Sequence, residues 1–212
     1  MNGVRARVLA TLAGQLGNPH GVLGKGVAFM LNRSNRRAIE AAVTAAGVDA
    51  GQTAADLGFG GGAGLSLLLD RVGADGVVHG IELSADMLAR ARSAHRRETA
   101  SGRLRLAAGS LAALPLADAS LDAAVTVNTL YFVPDLDAVC AELARVIRPG
   151  GRAVIGIGDP DTMAKLPFTP YGFTLRPVAD VVAALAKSGC TVTPEQLPNP
   201  PIPHHLLIAT RA

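Results

Sequence analysis

The fold is decided by one stretch of sequence, Asp56-Leu57-Gly58-Phe59-Gly60-Gly61-Gly62-Ala63-Gly64. This stretch follows the short apolar run Thr53–Leu57 and opens a segment of helical periodicity over Ala63–Arg71. Glycines permit a tight strand-to-helix turn, and they let a ligand press against backbone N–H groups at the start of the helix. The stretch therefore predicts an α/β protein with a ligand site at this turn.

Outward from this turn, short apolar runs alternate with helical periods. The predicted strands are Thr53–Leu57, Val77–Ile81, Leu104–Ala107, Leu121–Asn128 and Arg152–Ile157, followed by a short strand near Val192 and a last one over Leu206–Thr210. The predicted helices are Ala63–Arg71, Ser84–Arg97, Leu136–Ile147 and Pro177–Ser188. This alternation predicts a Rossmann-like, seven-stranded, mostly parallel sheet with helices on both faces.

The chain divides into two predicted parts, a helical extension over residues 1–50 and a sheet domain over residues 51–212. The first residues resemble a signal peptide only faintly, since Val4, Val8, Leu12 and Leu16 recur every fourth position and predict an amphipathic helix. The sequence contains no apolar run of about 18 residues, so we expect no membrane span and a cytoplasmic protein.

The composition argues against several classes of function. Apolar residues make up 49% of the chain and charged residues 17%, which predicts a sizeable core and an ordered domain. The net charge of +3 includes arginine pairs on predicted helices, which we interpret as solvated faces rather than a nucleic-acid surface. Cys140 and Cys190 lack metal or redox spacing, and we expect Cys140, on the apolar side of a predicted helix, to be a buried, reduced thiol. His204 and His205 should point to opposite faces of a strand, so no metal site is predicted.

An acidic residue, Glu82, follows the second predicted strand, where a carboxylate can accept hydrogen bonds from both hydroxyls of a ribose. This pattern alone also fits a nicotinamide-dependent dehydrogenase. Asp56 favours a different ligand, because it can bind a cationic amino group that a nicotinamide dinucleotide lacks. The polar Asn128 at the end of the fourth strand and the turn Arg148–Gly151 before the fifth support the same choice.

Together these segments resemble the class I S-adenosylmethionine-dependent methyltransferases, most of all the branch of the ubiquinone/menaquinone-biosynthesis C-methyltransferases. The resemblance covers roughly residues 53–158. Its motifs occur in order as Asp56–Gly62, Gly80–Ser84 with Met87-Leu88, Leu114–Asp122, Asn128–Asp135 and Glu142–Gly151.

The resemblance implies S-adenosylmethionine as cofactor, S-adenosylhomocysteine as product, and a site built from known positions. The implied cofactor-binding residues are Asp56, Gly58, Phe59, Gly60, Glu82, Leu83, Met87, Gly109, Ser110, Leu111 and Asn128. The sequence departs from the family pattern in three places. Phe59 replaces a residue that is often small, Ser110 an acid that reads the adenine, and Tyr131-Phe132 a pair that is often histidine. Asp122 is expected to be structural.

A sulfonium methyl group is already activated, so we expect catalysis mainly by positioning of the nucleophile. Tyr131 and His20 are the candidate catalytic residues, Tyr131 after the fourth strand and His20 in a loop of the extension. Residues 1–33 and Asp159–Tyr171 are expected to form a substrate lid. Its apolar side chains, such as Phe29, Met30, Phe168 and Tyr171, favour a small apolar or aromatic substrate.

Three other functions compete with methylation of a small metabolite. A protein of the same fold can bind S-adenosylmethionine and catalyse a cyclisation or rearrangement without transferring the methyl group. A nicotinamide oxidoreductase and a nucleic-acid methyltransferase are the remaining alternatives. The sequence offers neither an added nucleic-acid-binding domain nor an N-P-P-Y-like tetrapeptide after the fourth strand. We expect a monomer or a homodimer, because an apolar helix over Val22–Leu31 could cover the substrate or bind a second copy.

Overall fold

The computed structural model describes residues 7–11, 13–14 and 35–212. Seven strands form one sheet in the order β3-β2-β1-β4-β5-β7-β6. Strands β1 to β5 run parallel to one another, and β7 is antiparallel to both β5 and β6. The strands are β1 Thr53–Leu57, β2 Val77–Glu82, β3 Leu104–Ala108, β4 Leu121–Val127, β5 Ile147–Gly158, β6 Cys190–Leu197 and β7 His204–Arg211. The predicted seven-stranded, mostly parallel sheet is confirmed.

Helices cover both faces of the sheet and bury two apolar clusters, as the alternating pattern predicted. The helices are α1 over residues 35–46, α2 Ala63–Val72, α3 Ala85–Ala94, α4 Arg96–Ala100, α5 Leu136–Val146, α6 Pro160–Ala164 and α7 Val178–Lys187, with a 3₁₀ turn at Leu130–Phe132. Helices α1, α2 and α3 pack on one face, around Leu65, Leu68 and Val154. Helices α5 and α7 pack on the other face, around Leu143, Ile155 and Leu185.

Helix α1 is part of the core of the sheet domain. Its buried residues Ala42, Val43 and Ala46 belong to the same apolar cluster as Leu65 and Leu68 of α2. Packing is therefore continuous across the predicted division at residue 50. The lid function of the extension stays a prediction, since residues 15–34 lie outside the described part of the chain.

Two predicted boundaries were wrong. The helix predicted over Ser84–Arg97 ends at Ala94, because His95 leaves helical geometry (φ −115°, ψ 44°) and the short α4 that follows buries no residue. A longer helix would gain little, since helices in proteins depend on packing of an apolar face. The segment Arg148–Gly151 is not a free turn, because β5 begins at Ile147 and continues through a register shift opposite Leu121 and Ala123.

The parallel arrangement brings the carboxyl ends of five strands to one edge of the sheet. Gly58, Glu82, Gly109, Asn128 and Asp159 stand at or directly after the ends of β1 to β5. Ligands of open α/β sheets bind at this edge. None of the helices in the described ranges combines the length and the apolar character needed to cross a bilayer.

Candidate cofactor site

The glycine-rich turn between β1 and α2 depends on left-handed backbone geometry. Gly58, Gly60 and Gly62 have φ angles of +73°, +49° and +84°, which side-chain-bearing residues rarely adopt. The Gly58 N–H donates to the Ile81 carbonyl at 2.7 Å, which ties the turn to β2. A Cβ atom at Gly58 would lie 2.5 Å from Cγ2 of Thr129. The turn therefore requires glycine at these three positions and is tightly enclosed at Gly58.

Asp56 is a buried carboxylate beneath this turn. Only 7% of its surface is exposed, and no residue of the described ranges donates a hydrogen bond to its side chain. It lies against the backbone of α2, since a Cβ at Gly64 would collide with its carboxylate. Burial, together with the charge of Glu82, raises the pKa of Asp56 to about 7. A cationic group placed here would satisfy a carboxylate that lacks a partner.

Glu82 at the end of β2 binds the glycine turn directly. Its Oε2 accepts from the Gly60 N–H at 2.8 Å, and its Oε1 accepts from the N–H groups of Leu83 and Ser84 at 2.8 and 3.0 Å. A carboxylate has about four acceptor positions, so roughly one remains, on Oε2. The sequence did not reveal this structural role. Ribose binding by Glu82 stays a prediction, and the geometry leaves room for one hydroxyl without displacing a backbone donor.

The residues predicted to contact the adenine differ in exposure. Leu83 is 62% exposed and presents an apolar surface beside Glu82. Met87 is 2% exposed and Phe59 6%, and both lie inside the core cluster between the sheet and α2 and α3. Of these three side chains, Leu83 is therefore the one available to a ligand in this conformation, while contacts from Met87 and Phe59 stay predictions.

The loop after β3 carries the remaining predicted adenine contacts. Gly109 is confined between Ile81 and Pro115, and a Cβ there would lie 2.7 Å from Cδ of Pro115. The hydroxyl of Ser110 accepts from the Ala112 N–H at 3.2 Å, so the side chain stabilises its own loop. Leu111 is 6% exposed. Their contacts with a cofactor also stay predictions.

Asn128 directly follows β4 with a left-handed backbone (φ +59°) and donates its N–H to the Gly156 carbonyl of β5 at 2.8 Å. Its Oδ1 accepts from the hydroxyl of Tyr131 at 3.0 Å, and its Nδ2 lies 3.2 Å from Nε2 of His204. Sequence reasoning missed His204 here, because 76 residues separate it from Asn128 and no motif links the two.

Tyr131 is enclosed. It is 5% exposed, donates to Asn128, and accepts from the Gly158 N–H at 2.5 Å. Burial raises the pKa of its hydroxyl well above the ordinary value. These contacts favour a positioning role over that of a base, and the catalytic assignment stays a prediction. His20, the other candidate, lies outside the described residues.

Several residues that the sequence suggested were structural are confirmed as such. Asp122 accepts from the Thr53 N–H at 2.7 Å and pairs with Nε of Arg148 at 2.7 Å, which closes the amino-terminal end of the sheet. Cys140 and Cys190 are free and buried. Within residues 7–11, 13–14 and 35–212, no group of three or more potential ligand side chains could hold a metal ion.

An aromatic cluster stands beside Tyr131. The Phe173 ring lies 5.5 Å from that of Tyr131, 4.8 Å from that of Phe132 and 5.6 Å from that of Phe168, between ring centroids. Arg176 fixes the adjoining segment by donating to the Leu130 and Val133 carbonyls, both at 2.6 Å. The segment that follows the predicted lid is thus held next to the carboxyl end of β4, and Phe168 of the predicted lid packs against it through Phe173.

The fold and the residues at the carboxyl edge of the sheet define a class of α/β protein. The glycine turn, the buried Asp56 and Glu82 at the end of β2 suit a nucleoside cofactor that carries a cationic group. Residues 55–155, just under half of the chain, match the family described as a methyltransferase domain. Residues 55–155 are thus similar to a methyltransferase domain, in agreement with the resemblance drawn from the sequence motifs. The methyltransferase class and the S-adenosylmethionine cofactor are those expected from the sequence.

A curated relative represents the branch named by the resemblance. The demethylmenaquinone methyltransferase of Oceanobacillus iheyensis is 35% identical over 107 residues, which are 50% of this chain and 44% of that protein. The chain spans about a third to a half of the length of the curated relatives it matches.

Solved structures share the fold at low identity. The geranyl diphosphate C-methyltransferase of Streptomyces coelicolor A3(2), in complex with Mg²⁺, geranyl diphosphate and S-adenosylhomocysteine, has a TM-score of 0.73 and 17% identity over 93% of this chain and 88% of that chain. The [4+2]-cyclase SpnF has a TM-score of 0.69 and 18% identity over 82% of this chain and 80% of that chain. At these identities the likeness concerns the fold alone.

Proposed function

We propose that this protein transfers the methyl group of S-adenosylmethionine to a carbon, oxygen or nitrogen atom of a small apolar or aromatic metabolite, as a monomer or homodimer in the cytoplasm. The observation that carries the proposal is the pair of acids at the glycine turn. Asp56 is 7% exposed and lacks a hydrogen-bond donor among the described residues, while Glu82 retains an acceptor position beside the exposed Leu83. A ligand with a cationic amino group, a ribose and an adenine fits this combination.

The residues present fit that cofactor, and each has a separate task. Asp56 would pair with the amino group, Glu82 would accept from a ribose hydroxyl, and Leu83 would cover one face of the adenine. When bound, S-adenosylmethionine supplies a methyl group activated by a neutral thioether leaving group. Asn128, fixed by Tyr131, would line the floor where the acceptor atom approaches. Holding reactants in line can contribute about 7–11 kcal/mol of barrier reduction, so no strong base is required.

The aromatic cluster beside Asn128 supports the proposed substrate class. Phe132, Phe168 and Phe173 are partly exposed, and their ring centroids lie within 6 Å of a neighbouring ring. Aromatic faces favour flat or branched apolar molecules, because burial of apolar surface from both partners is favourable. A substrate such as a prenylated, polyketide-like or phenolic compound fits this wall better than a small, highly charged one.

The test is formation of S-adenosylhomocysteine. The purified protein is incubated with methyl-labelled S-adenosylmethionine and a panel of prenylated, phenolic and polyketide-like compounds, with glycine and other small charged acceptors as the opposing panel. Label in an apolar product, together with an equal amount of S-adenosylhomocysteine, supports the proposal. Methylation of the charged panel alone would overturn the substrate class.

A non-methylating cyclisation or rearrangement on the same fold is the second candidate. It is favoured if the acceptor atom keeps a proton at neutral pH, because the Tyr131 hydroxyl is bonded to both Asn128 and Gly158 and offers no free base to remove that proton. The same assay separates the two functions. A cyclase would convert a substrate without releasing S-adenosylhomocysteine and without incorporating label.

A further inference from the structure

A line of buried and partly buried hydrogen bonds runs from the end of β5 to the first residue of β7 through the floor of the site. Gly158 N–H lies 2.5 Å from the Tyr131 oxygen, Tyr131 lies 3.0 Å from Oδ1 of Asn128, and Nδ2 of Asn128 lies 3.2 Å from Nε2 of His204. The line ends where Nδ1 of His204 lies 2.9 Å from the Ile202 carbonyl. His204 is 3% exposed.

The donors along this line follow from its two ends and from the direction of the Tyr131 hydroxyl. A backbone N–H can only donate, so the Tyr131 oxygen accepts from Gly158, and the Tyr131 hydroxyl donates its proton to Oδ1 of Asn128. The Asn128 amide then turns its Nδ2 donor toward His204, and Nε2 must carry a lone pair. A carbonyl can only accept, so Nδ1 carries the ring proton and donates to Ile202.

The opposite tautomer fits less well. A proton on Nε2 would face the Asn128 Nδ2 donor, and a lone pair on Nδ1 would face the Ile202 carbonyl. One contact does not fit the assigned tautomer: Nδ2 of Asn199, a donor, lies 3.1 Å from the protonated Nδ1 of His204. Rotation of the Asn199 terminal amide by a half-turn removes this mismatch, because it exchanges that donor for the amide oxygen.

We propose that His204 is a positioning residue: as the neutral Nδ1–H tautomer it fixes the side-chain amide of Asn128 at the floor of the cofactor site, and protonation of its ring releases that amide. A protonated ring would carry two donors, and the Asn128 Nδ2 would then face an N–H instead of a lone pair. The amide would have to turn over, and Tyr131 would lose its acceptor. The functional consequence rests on the proposed function, but the linkage between the two side chains does not.

Few ionisable groups among the described residues face His204. The neighbouring His205 pairs with Asp159, with Nε2 3.2 Å from Oδ2, and Tyr131 reaches the ring only through Asn128. The strand partners of His204 are Gly158 on β5 and Leu197 on β6, neither of which is charged. Burial and the nearby His205 lower the pKa of the His204 ring, which keeps it neutral at neutral pH.

The decisive experiment is a pH titration of the ¹⁵N-labelled protein, following the histidine ring nitrogens and the side-chain amide of Asn128 by nuclear magnetic resonance. Asn128→Ala and His204→Gln identify the two sets of signals. We expect an Nδ1–H tautomer for His204 at pH 7.5 and a shift of the Asn128 amide with the midpoint of the His204 ring. In His204→Gln, whose side-chain oxygen replaces the acceptor, the amide signal should stay unchanged over that range. His205→Gln is the matched control: the Asn128 amide should still shift with the midpoint of the His204 ring, which moves to higher pH because the neighbouring His205 is gone.

An Nε2–H tautomer, or an Asn128 amide that ignores the titration of His204, would overturn the proposal. A second measurement compares S-adenosylhomocysteine affinity with pH in wild type and His204→Gln, since any effect of Asp56 is common to both. On acidification the wild type should lose roughly two- to tenfold more affinity than His204→Gln, because the contribution of one neutral hydrogen bond falls in that range. Equal losses would contradict the functional part. Absence of binding in both proteins would refute the proposed function, while the linkage seen by resonance would stand.

Discussion

Replacement of Asp56 by asparagine should make the protein more stable at neutral and alkaline pH. Asp56 is 7% exposed, and its pKa is about 7 against an ordinary value of 3.8. Because the folded state binds this proton more tightly than the unfolded state, stability falls as pH rises from about 4 to 7 and is level above that range. A shift of this size corresponds to about 4 kcal/mol, at 1.36 kcal/mol per pKa unit. Asparagine cannot ionise and avoids this loss.

The assay is urea unfolding of wild type and Asp56→Asn at intervals between pH 4 and 8.5. The difference in unfolding free energy should be near zero at the acidic end and grow in favour of the variant to at most about 4 kcal/mol above pH 7. Titrations of groups that do not interact with Asp56 cancel in this difference. A difference that does not change with pH, or a variant less stable than wild type at pH 8, would refute the assignment of a buried, unpartnered carboxylate. The same variant should bind S-adenosylhomocysteine weakly, because it lacks the charge that pairs with the amino group.

Three further predictions follow from the site and the core. Glu82→Gln should lose about 1–3 kcal/mol of unfolding free energy in urea unfolding, because a backbone N–H of the turn is left without an acceptor. The same variant should bind S-adenosylhomocysteine roughly ten- to hundredfold more weakly in calorimetry, and an unchanged affinity would exclude ribose binding by Glu82. Gly58→Ala should lower the free energy of unfolding by about 1–3 kcal/mol more than Gly102→Ala does. Both glycines have positive φ, but only at Gly58 does the added Cβ lie within 3 Å of a side chain, that of Thr129. Equal losses of unfolding free energy in urea would mean that Thr129 moves aside. Burial raises the pKa of Cys140 to about 12 and also raises the pKa of Cys190. Both thiols should therefore resist a thiol reagent at pH 8 until the protein unfolds. Rapid labelling of the folded protein would contradict their burial.

The sequence predicted the first four strands well because each is short, apolar and bounded by a turn. Thr53–Leu57 was placed without error, and the ends of β2, β3 and β4 differed by one residue. The misplaced boundaries were those that local pattern does not determine. His95 interrupts a segment of helix-forming residues. Strand β5 begins at Ile147, before Pro149, and a register shift in its pairing with β4 accommodates the extra residues.

The candidate site was predicted in its position but not in its internal contacts. Glycines and acids after strands are local signals, so Asp56, Gly58 and Glu82 could be found from spacing. The hydrogen bonds of Glu82 to the turn and of Asn128 to His204 join residues 22 and 76 positions apart. Such contacts are set by the order of strands in the sheet, which a single sequence does not specify in detail. Burial of Met87 and Phe59 likewise depends on how α3 meets the sheet.

The assignment of an S-adenosylmethionine site is tested by calorimetric binding of S-adenosylhomocysteine, with the nicotinamide dinucleotide as a paired control. We expect S-adenosylhomocysteine to bind with a micromolar dissociation constant, about −8 kcal/mol, the nicotinamide dinucleotide not to bind, and Glu82→Ala to lose the binding. Binding of the nicotinamide dinucleotide instead, or no binding of S-adenosylhomocysteine at millimolar concentration, would contradict it.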